Sequence, residues 1–120
     1  MQIAVLIDAR NVLRSEWPNR SEDELVELSC AWAARHGHRA VLVFDGRAPP
    51  APGADECRVI GTGAETADEW LERTAADFGS DERRFWLVTS DRALRAAAGR
   101  DAERVIGGGT FLRLIRGASE

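Results

Sequence analysis

The sequence predicts an α/β fold, a three-layer α/β/α sandwich with a central, mainly parallel sheet of about five strands. Continuous apolar runs of strand length, typical of strands covered on both faces, recur along the chain. Segments with helical periodicity separate these runs, and such alternation implies right-handed crossovers that place helices on both faces of the sheet. At 120 residues, the chain is expected to form a single domain, 1–120.

Each element has its own signal. The strands are predicted from the apolar runs IAVLI (3–7), AVLVF (40–44), CRVIG (57–61), FWLVTS (85–90) and ERVIGGG (103–109). Helices are predicted over 21–37, where Ser21 and Glu24 have capping-box spacing and Gly37 supplies the stop, over 67–78, over 91–99 and over 110–115. The Pro-rich stretch GRAPPAPGADE (46–56) predicts a surface loop beside the end of the second strand.

Composition narrows the class of function. A net charge of −4 excludes a protein that coats nucleic acid by bulk positive charge, so any nucleic-acid partner must be held locally or through a metal. No apolar run approaches membrane-spanning length and no secretory leader is visible, which predicts a cytoplasmic protein. Cys30 and Cys57 lack metal-like spacing and are predicted to be two reduced thiols.

Carboxylates follow the predicted strands. Asp8, Asp45 and Asp91 lie at strand ends, and Asp68 lies in the first turn of the helix after the third strand. Because the carboxyl ends of parallel strands share one edge, where ligands collect, these acids are expected to meet there. Clustered carboxylates repel one another unless a cation neutralises them, and hard oxygen ligands select Mg²⁺ or Mn²⁺. Such a metal activates water for phosphodiester hydrolysis.

Each of these residues also has a structural interpretation. Asp8 or Asp91 alone is as well explained as a helix N-cap, and Asp68 as a first-turn acid that favours the helix dipole. Asn11 could simply close a turn. Glu65 and Glu69 have capping-box partners in two registers, so helix capping is their expected role. It is the convergence of the acids that favours a catalytic site.

The motifs IDARNV, VFDG, ETADEWLE, VTSDRAL and GGGTFL, in this order, resemble those of the NYN domain of the PIN-like nuclease superfamily, in its YacP-like ribonuclease branch. The resemblance spans nearly the whole chain and implies a PIN-like fold and a metal-dependent endoribonuclease, acting in some members on messenger RNA at the ribosome. Carried over by position, the metal ligands would be Asp8, Asp68 and Asp91. Asp45 would be a further catalytic acid, Asn11 would help to order the site, and Ser90 would bind a ligand or, slightly favoured, cap the helix.

The first motif departs from the family pattern. Family members usually carry glycine immediately after the first Asp and often an aromatic residue or a second amide next, whereas this chain has Ala9 and then Arg10. The Arg10 guanidinium could clamp an RNA phosphate or pair with a site acid and compete with the metal, and charge alone does not choose between them. The predicted RNA contacts at this edge are Ser90, Arg10, Arg14, Arg47 and Arg92.

Trp17, His36 and His38 are aromatic residues with possible functional roles. Trp17, in SEWPNR, could stack on a base, but such a side chain more often packs back onto its own domain, and that is the expectation here. His36 and His38 flank a helix-ending glycine far from the predicted acidic edge, so neither is interpreted as a catalytic base.

Two other functions stay open: a catalytically inactive RNA-binding or protein-interaction module, and a small phosphohydrolase acting on nucleotides, for which no Gly-rich phosphate loop is present.

Overall fold

A computed structural model describes residues 2–53 and 57–118 of the chain. Its strands are β1 (Ala4–Asp8), β2 (Arg39–Phe44), β3 (Cys57–Gly61), β4 (Phe85–Val88) and β5 (Arg104–Ile106). They form one sheet in the order β3-β2-β1-β4-β5, and every neighbouring pair is parallel. The strand order reverses between β1 and β4, which makes the carboxyl ends of these two strands the expected place for a ligand.

Helices cover both faces of the sheet. They are α1 (Ala9–Arg14), α2 (Glu22–His36), α3 (Ala67–Ser80), α4 (Arg92–Ala98) and α5 (Gly108–Ala118). Val5 and Ile7 of β1 pack with residues of α1, α2 and α5, whereas Ala4 and Leu6 pack with residues of α3 and α4. Alternate residues of a strand point to opposite faces, so each strand contributes to two cores. The predicted three-layer α/β/α fold with five parallel strands is confirmed.

The predicted element boundaries differ from the structure at several elements; β4, for example, ends at Val88 and not at Ser90. Helix α1 was predicted only as a turn at Asn11, because six residues are too few to show helical periodicity. Strand β5 ends at Ile106, and Gly108 opens α5 instead of extending the strand. Of the Pro-rich stretch 46–56, residues 46–53 form an irregular segment, and 54–56 lie outside the described residues.

The predicted helix signals act as expected. Ser21 Oγ accepts a hydrogen bond from the Glu24 amide, and Gly37 ends α2 with φ 68°, a left-handed conformation that glycine adopts without strain. At α3, Thr66 and Glu69 form a full capping box, so Glu69 has the structural role predicted for it. No helix in 2–53 or 57–118 is long and apolar enough to cross a membrane.

The prediction of two reduced thiols is wrong, because Cys30 and Cys57 form a disulfide. The Cα atoms are 5.4 Å apart although 27 positions separate the residues in the chain. Helix α2 packs across β2 and β3, and this packing brings the middle of the helix to the first residue of the edge strand. The bond therefore ties β3 to α2, a link that cysteine spacing does not reveal. Disulfides are typical of oxidising compartments, so the cysteines do not support the predicted cytoplasmic location.

Ser29, on α2, is fully buried, and its hydroxyl has no hydrogen-bond partner in the part of the chain that the structure describes. An unpaired buried hydroxyl destabilises the folded state, and alanine also has the higher helix propensity. We therefore expect Ser29→Ala to raise the free energy of unfolding by about 1 kcal/mol, measured by urea denaturation. Ser21→Ala, on the same helix, is the matched control and should lower the free energy of unfolding by a similar amount, because it removes the N-cap. A less stable Ser29→Ala variant would show that the hydroxyl is satisfied in solution.

Candidate functional site at the carboxyl edge of the sheet

Asp8, the last residue of β1, is the buried acid of the site, with 6% of its surface exposed. Thr89, directly after β4, is fully buried, and its hydroxyl donates a hydrogen bond to Asp8 Oδ2 at 3.0 Å. Burial raises the pKa of Asp8 to about 6; the Thr89 hydrogen bond opposes this shift, and the charges of Asp68 and Asp45 add to it. A cation bound next to this buried carboxylate would stabilise its ionised form.

Asp68 lies in the first turn of α3, which follows the carboxyl end of β3. Burial is the largest cause of its raised pKa, followed by the negative charges of Asp91, Asp45 and Glu72. Electrostatic interactions thus join Asp8 to Asp68 and Asp45, and Asp68 to Asp91 and Asp45. The structure brings together the four acids that the sequence singled out, at the point where the strand order reverses.

Asp45 and Asp91 each accept a hydrogen bond from a backbone amide in the first turn of a helix. Asp45 Oδ1 accepts a hydrogen bond from the Ala67 amide at 2.5 Å, in the first turn of α3, and Asp91 Oδ1 accepts one from the Leu94 amide at 2.9 Å as the N-cap of α4. The capping interpretation is therefore correct for Asp91, whereas the Asp8 side chain caps no helix. In both capping acids the second oxygen, Oδ2, is not used by these bonds.

Asn11 and Ser90 link three elements around the acids. Asn11 Oδ1 accepts a hydrogen bond from the Ser90 amide, and Ser90 Oγ accepts one from the Gly108 amide, both at 2.8 Å. Ser90 thus caps α5, whereas the favoured prediction was a cap on the helix after Asp91. A side chain at Gly108 would meet Ser15 Oγ and Asn11 Oδ1, which explains the glycine at this crossing. Asn11 therefore orders the site by fixing the Ser90 backbone.

The predicted RNA-contacting arginines differ in their surroundings. Arg10 donates a hydrogen bond to the backbone carbonyl of Asp45 at 3.2 Å, so in this structure its guanidinium contacts the main chain of a site acid. The positive charge of the exposed Arg14 lowers the pKa of both Asp8 and Asp68, against the larger raising effect of burial, so Arg14 interacts electrostatically with both acids. Arg47 and Arg92 are exposed, after β2 and in the first turn of α4.

The donor atoms fit a hard divalent cation by their chemistry, since all are carboxylate oxygens. Within 2–53 and 57–118, however, no group of three or more His, Cys, Asp or Glu side chains is arranged to hold a metal ion directly. Mg²⁺ commonly keeps several waters and takes one or two carboxylates, so this arrangement fits an ion held partly through water.

A cavity of about 560 Å³, lined by Arg39, Phe78 and Arg83 among others, lies at the opposite edge of the sheet.

Thr89 was missed by sequence reasoning. Its hydroxyl donates to Asp8 and accepts from the Asp91 amide at 3.1 Å, so a single buried side chain sets the positions of two acids. The only available signal was its place in VTSD, between a buried strand and an acid.

His36 and His38 lie at the opposite edge, where they contact Trp32 and His38 also contacts Trp86. This location agrees with their exclusion as catalytic bases.

Comparison with known proteins gives the following relatives. The family model described as the YacP-like NYN domain matches residues 5–115. The crystal structure of Rae1 (YacP) from Bacillus subtilis is similar, with 24% identity and a TM-score of 0.75 over 99% of this chain and 76% of that one. The W164L mutant of the same protein gives 23% identity and a TM-score of 0.77 over 98% of this chain and 77% of that one. Among curated proteins, none matches this chain significantly.

Proposed function

The chain belongs to the YacP-like NYN domain family, and on that premise we propose that it is a metal-dependent endoribonuclease that hydrolyses phosphodiester bonds of RNA. Membership implies a nuclease-type, RNA-related function. The observation that supports the finer proposal is the convergence of Asp8, Asp45, Asp68 and Asp91 at one edge of the sheet, with their charges interacting. Packing does not require this convergence, because clustered carboxylates repel one another.

Each residue has a definite part in the proposed mechanism. Asp8, Asp68 and Asp91 would hold a Mg²⁺ or Mn²⁺ ion, which when bound supplies an activated water and stabilises charge on the phosphate. Thr89 fixes the Asp8 carboxylate and the Asp91 backbone, and so acts as a positioning residue. Asp45 adds negative charge to the site while it holds the start of α3.

The RNA strand meets positive charge on the same edge. Arg14, beside the acids, and the exposed Arg47 and Arg92 can receive phosphates that flank the cleaved bond. Arg10 and Ser90 are less available, because both already form hydrogen bonds within the protein. A cytoplasmic location and an encounter with messenger RNA at the ribosome belong to the same proposal, although the Cys30–Cys57 disulfide does not favour that compartment.

Metal binding by the acids is the first test. We expect Mn²⁺ or Mg²⁺ at tenfold above its dissociation constant to stabilise the wild type by about 1.4 kcal/mol, a rise of several degrees in Tm. Asp68→Asn should lose this rise and should cleave single-stranded RNA far more slowly. Asp77→Asn, at the other end of α3, is the matched control and should behave as the wild type, because its exposed carboxylate lies about three turns away.

One observation favours a second function, an inactive RNA-binding or protein-interaction module. Within the described ranges no three ligand side chains are already arranged around a metal, and Arg10 places a guanidinium on the main chain of Asp45, at a position where the resemblance implies an aromatic residue or an amide. If neither the wild type nor Asp68→Asn responds to millimolar metal and neither cleaves RNA, this second function replaces the first.

A further inference from the structure

Trp17 is the most exposed large apolar side chain in the described part of the molecule, with 86% of its surface accessible. Trp32, by contrast, is 4% exposed, and Trp70 and Trp86 are partly buried against the cores. The expectation that Trp17 packs back onto the domain is therefore wrong. The Trp17 indole therefore contributes little buried area to the fold, and its ring faces are accessible to a ligand.

The loop that carries Trp17 is held in place on both sides of the ring. Before Trp17, Ser15 Oγ donates to the Asn11 carbonyl at 2.9 Å, and Glu16 accepts a hydrogen bond from Arg116 of α5 at 2.8 Å. After Trp17, Arg20 donates to Glu24 of α2 at 2.9 Å. A fixed loop presents the ring at little further cost in conformational entropy when a ligand binds.

The loop lies at the same edge of the sheet as the acids. Helix α1 starts at Ala9, directly after Asp8 at the carboxyl end of β1, and α2 must end at the opposite edge, because β2 begins there after a short turn. With 15 residues, α2 is about 22 Å long, close to the length of the six-residue strand β2, so its first residue returns to the carboxyl edge. The connection 15–21, and Trp17 with it, is thus beside the acidic site.

A cation precedes the ring in the chain and acts electrostatically on the acids. Arg14, three positions before Trp17, is exposed, and its charge acts on both Asp8 and Asp68. Along the chain, this segment therefore carries an acid (Asp8), then a cation (Arg14), then an aromatic ring (Trp17). Single-stranded nucleic acid is commonly bound by this combination, in which cations follow the backbone and aromatic rings stack on bases.

We propose that Trp17 stacks on a base of single-stranded RNA next to the cleaved phosphodiester, while Arg14 contacts an adjacent phosphate. The inference rests on the proposed function, whose substrate it narrows to unpaired RNA. A protein partner fits less well, because protein interfaces have a contiguous apolar core, and besides Trp17 the one exposed large apolar side chain in the described residues is Leu114, at 37%. With a net charge of −4, stacking also supplies affinity that bulk charge cannot.

The test measures binding of a fluorescein-labelled oligoadenylate by anisotropy, with EDTA present so that the RNA stays intact. Stacking on one aromatic ring is worth roughly 1–3 kcal/mol, so Trp17→Ala should raise Kd by about 5- to 150-fold. Trp17→Leu is the matched control for apolar character without a flat ring and should be as weak as Trp17→Ala, whereas Trp17→Phe should keep most of the affinity. Tm should be unchanged in all three, because the side chain is exposed.

Tryptophan fluorescence provides a second measurement. RNA should quench the wild type, whereas Trp17→Phe should bind RNA with much less quenching, because the remaining indoles are more buried. Equal Kd values for the wild type and Trp17→Ala would overturn the inference even if the protein proves to be a nuclease. If Trp17→Ala and Trp17→Leu lose RNA affinity equally, the stacking site is supported. If the wild type also fails to cleave RNA, that failure counts only against the proposed nuclease activity. No RNA binding by the wild type, or a change in fluorescence with protein concentration alone, would overturn the stacking site and favour a protein contact.

Discussion

Replacing Asp8 by Asn is expected to abolish RNA cleavage and, in the absence of metal, to raise the free energy of unfolding by about 3 kcal/mol at pH 8. Burial raises the pKa of Asp8 from 3.8 to about 6, and this difference between the unfolded and folded states corresponds to about 3 kcal/mol. The folded state therefore binds this proton more tightly than the unfolded state. Asparagine has the same shape and carries no charge that must be buried.

The sign of the pH dependence follows from that shift. Below about pH 4 the carboxyl is protonated in both states, and the protonated form is stable in the folded protein. As the pH rises from about 4 through 6, the unfolded state ionises first and the stability linked to Asp8 is lost. Over this window, the free energy of unfolding of the wild type should fall by about 3 kcal/mol relative to that of Asp8→Asn. At pH 4 the two proteins should have nearly equal free energies of unfolding.

Urea denaturation at pH 4 and pH 8, with EDTA, measures both values. Asp77→Asn, which removes an exposed charge of the same kind, should change the free energy of unfolding little at either pH. A large loss of stability in Asp8→Asn at pH 8 would contradict the prediction. It would mean that the ionised carboxylate and its bond from Thr89 hold β1 and β4 together. Cleavage, measured separately on labelled RNA with metal, should fall at least about a hundredfold, because a metal ligand supplies several kcal/mol of charge stabilisation.

Loss of the disulfide should have a comparable effect on stability. The Cys30–Cys57 bond spans 27 positions, and a loop of this length constrains the unfolded chain by about 3–4 kcal/mol. We expect Cys30→Ala/Cys57→Ala to lower the free energy of unfolding by about this amount, measured in urea. Dithiothreitol should lower the stability of the wild type similarly and leave the double variant unchanged. If complete reduction, verified by thiol titration, left the wild type as stable as before, the bond would not contribute to stability.

The disulfide also bears on the candidate site through β3. This edge strand leads into the turn where the Thr62 amide donates to the Phe44 carbonyl and the Gly46 amide donates to Thr62 Oγ1. The same turn places the start of α3, and with it Asp68, against Asp45. If the proposed metal site exists, reduction is therefore expected to weaken metal binding as well as the fold.

The sequence by itself determined the order of the five strands and of every helix except the short α1, because apolar periodicity, capping residues and helix-ending glycines act over short distances. It also determined that Asp8, Asp45, Asp68 and Asp91 share an edge, since parallel strands joined by right-handed crossovers leave no other arrangement. Trp17 shows the limit of this reasoning, because a side chain's exposure depends on what the rest of the chain places around it. Only the tertiary structure decided the Thr89 bond to Asp8, the Asn11 bond to Ser90 and the disulfide, which join residues 81, 79 and 27 positions apart. Such contacts depend on ångström-scale packing of distant elements, which no local pattern records.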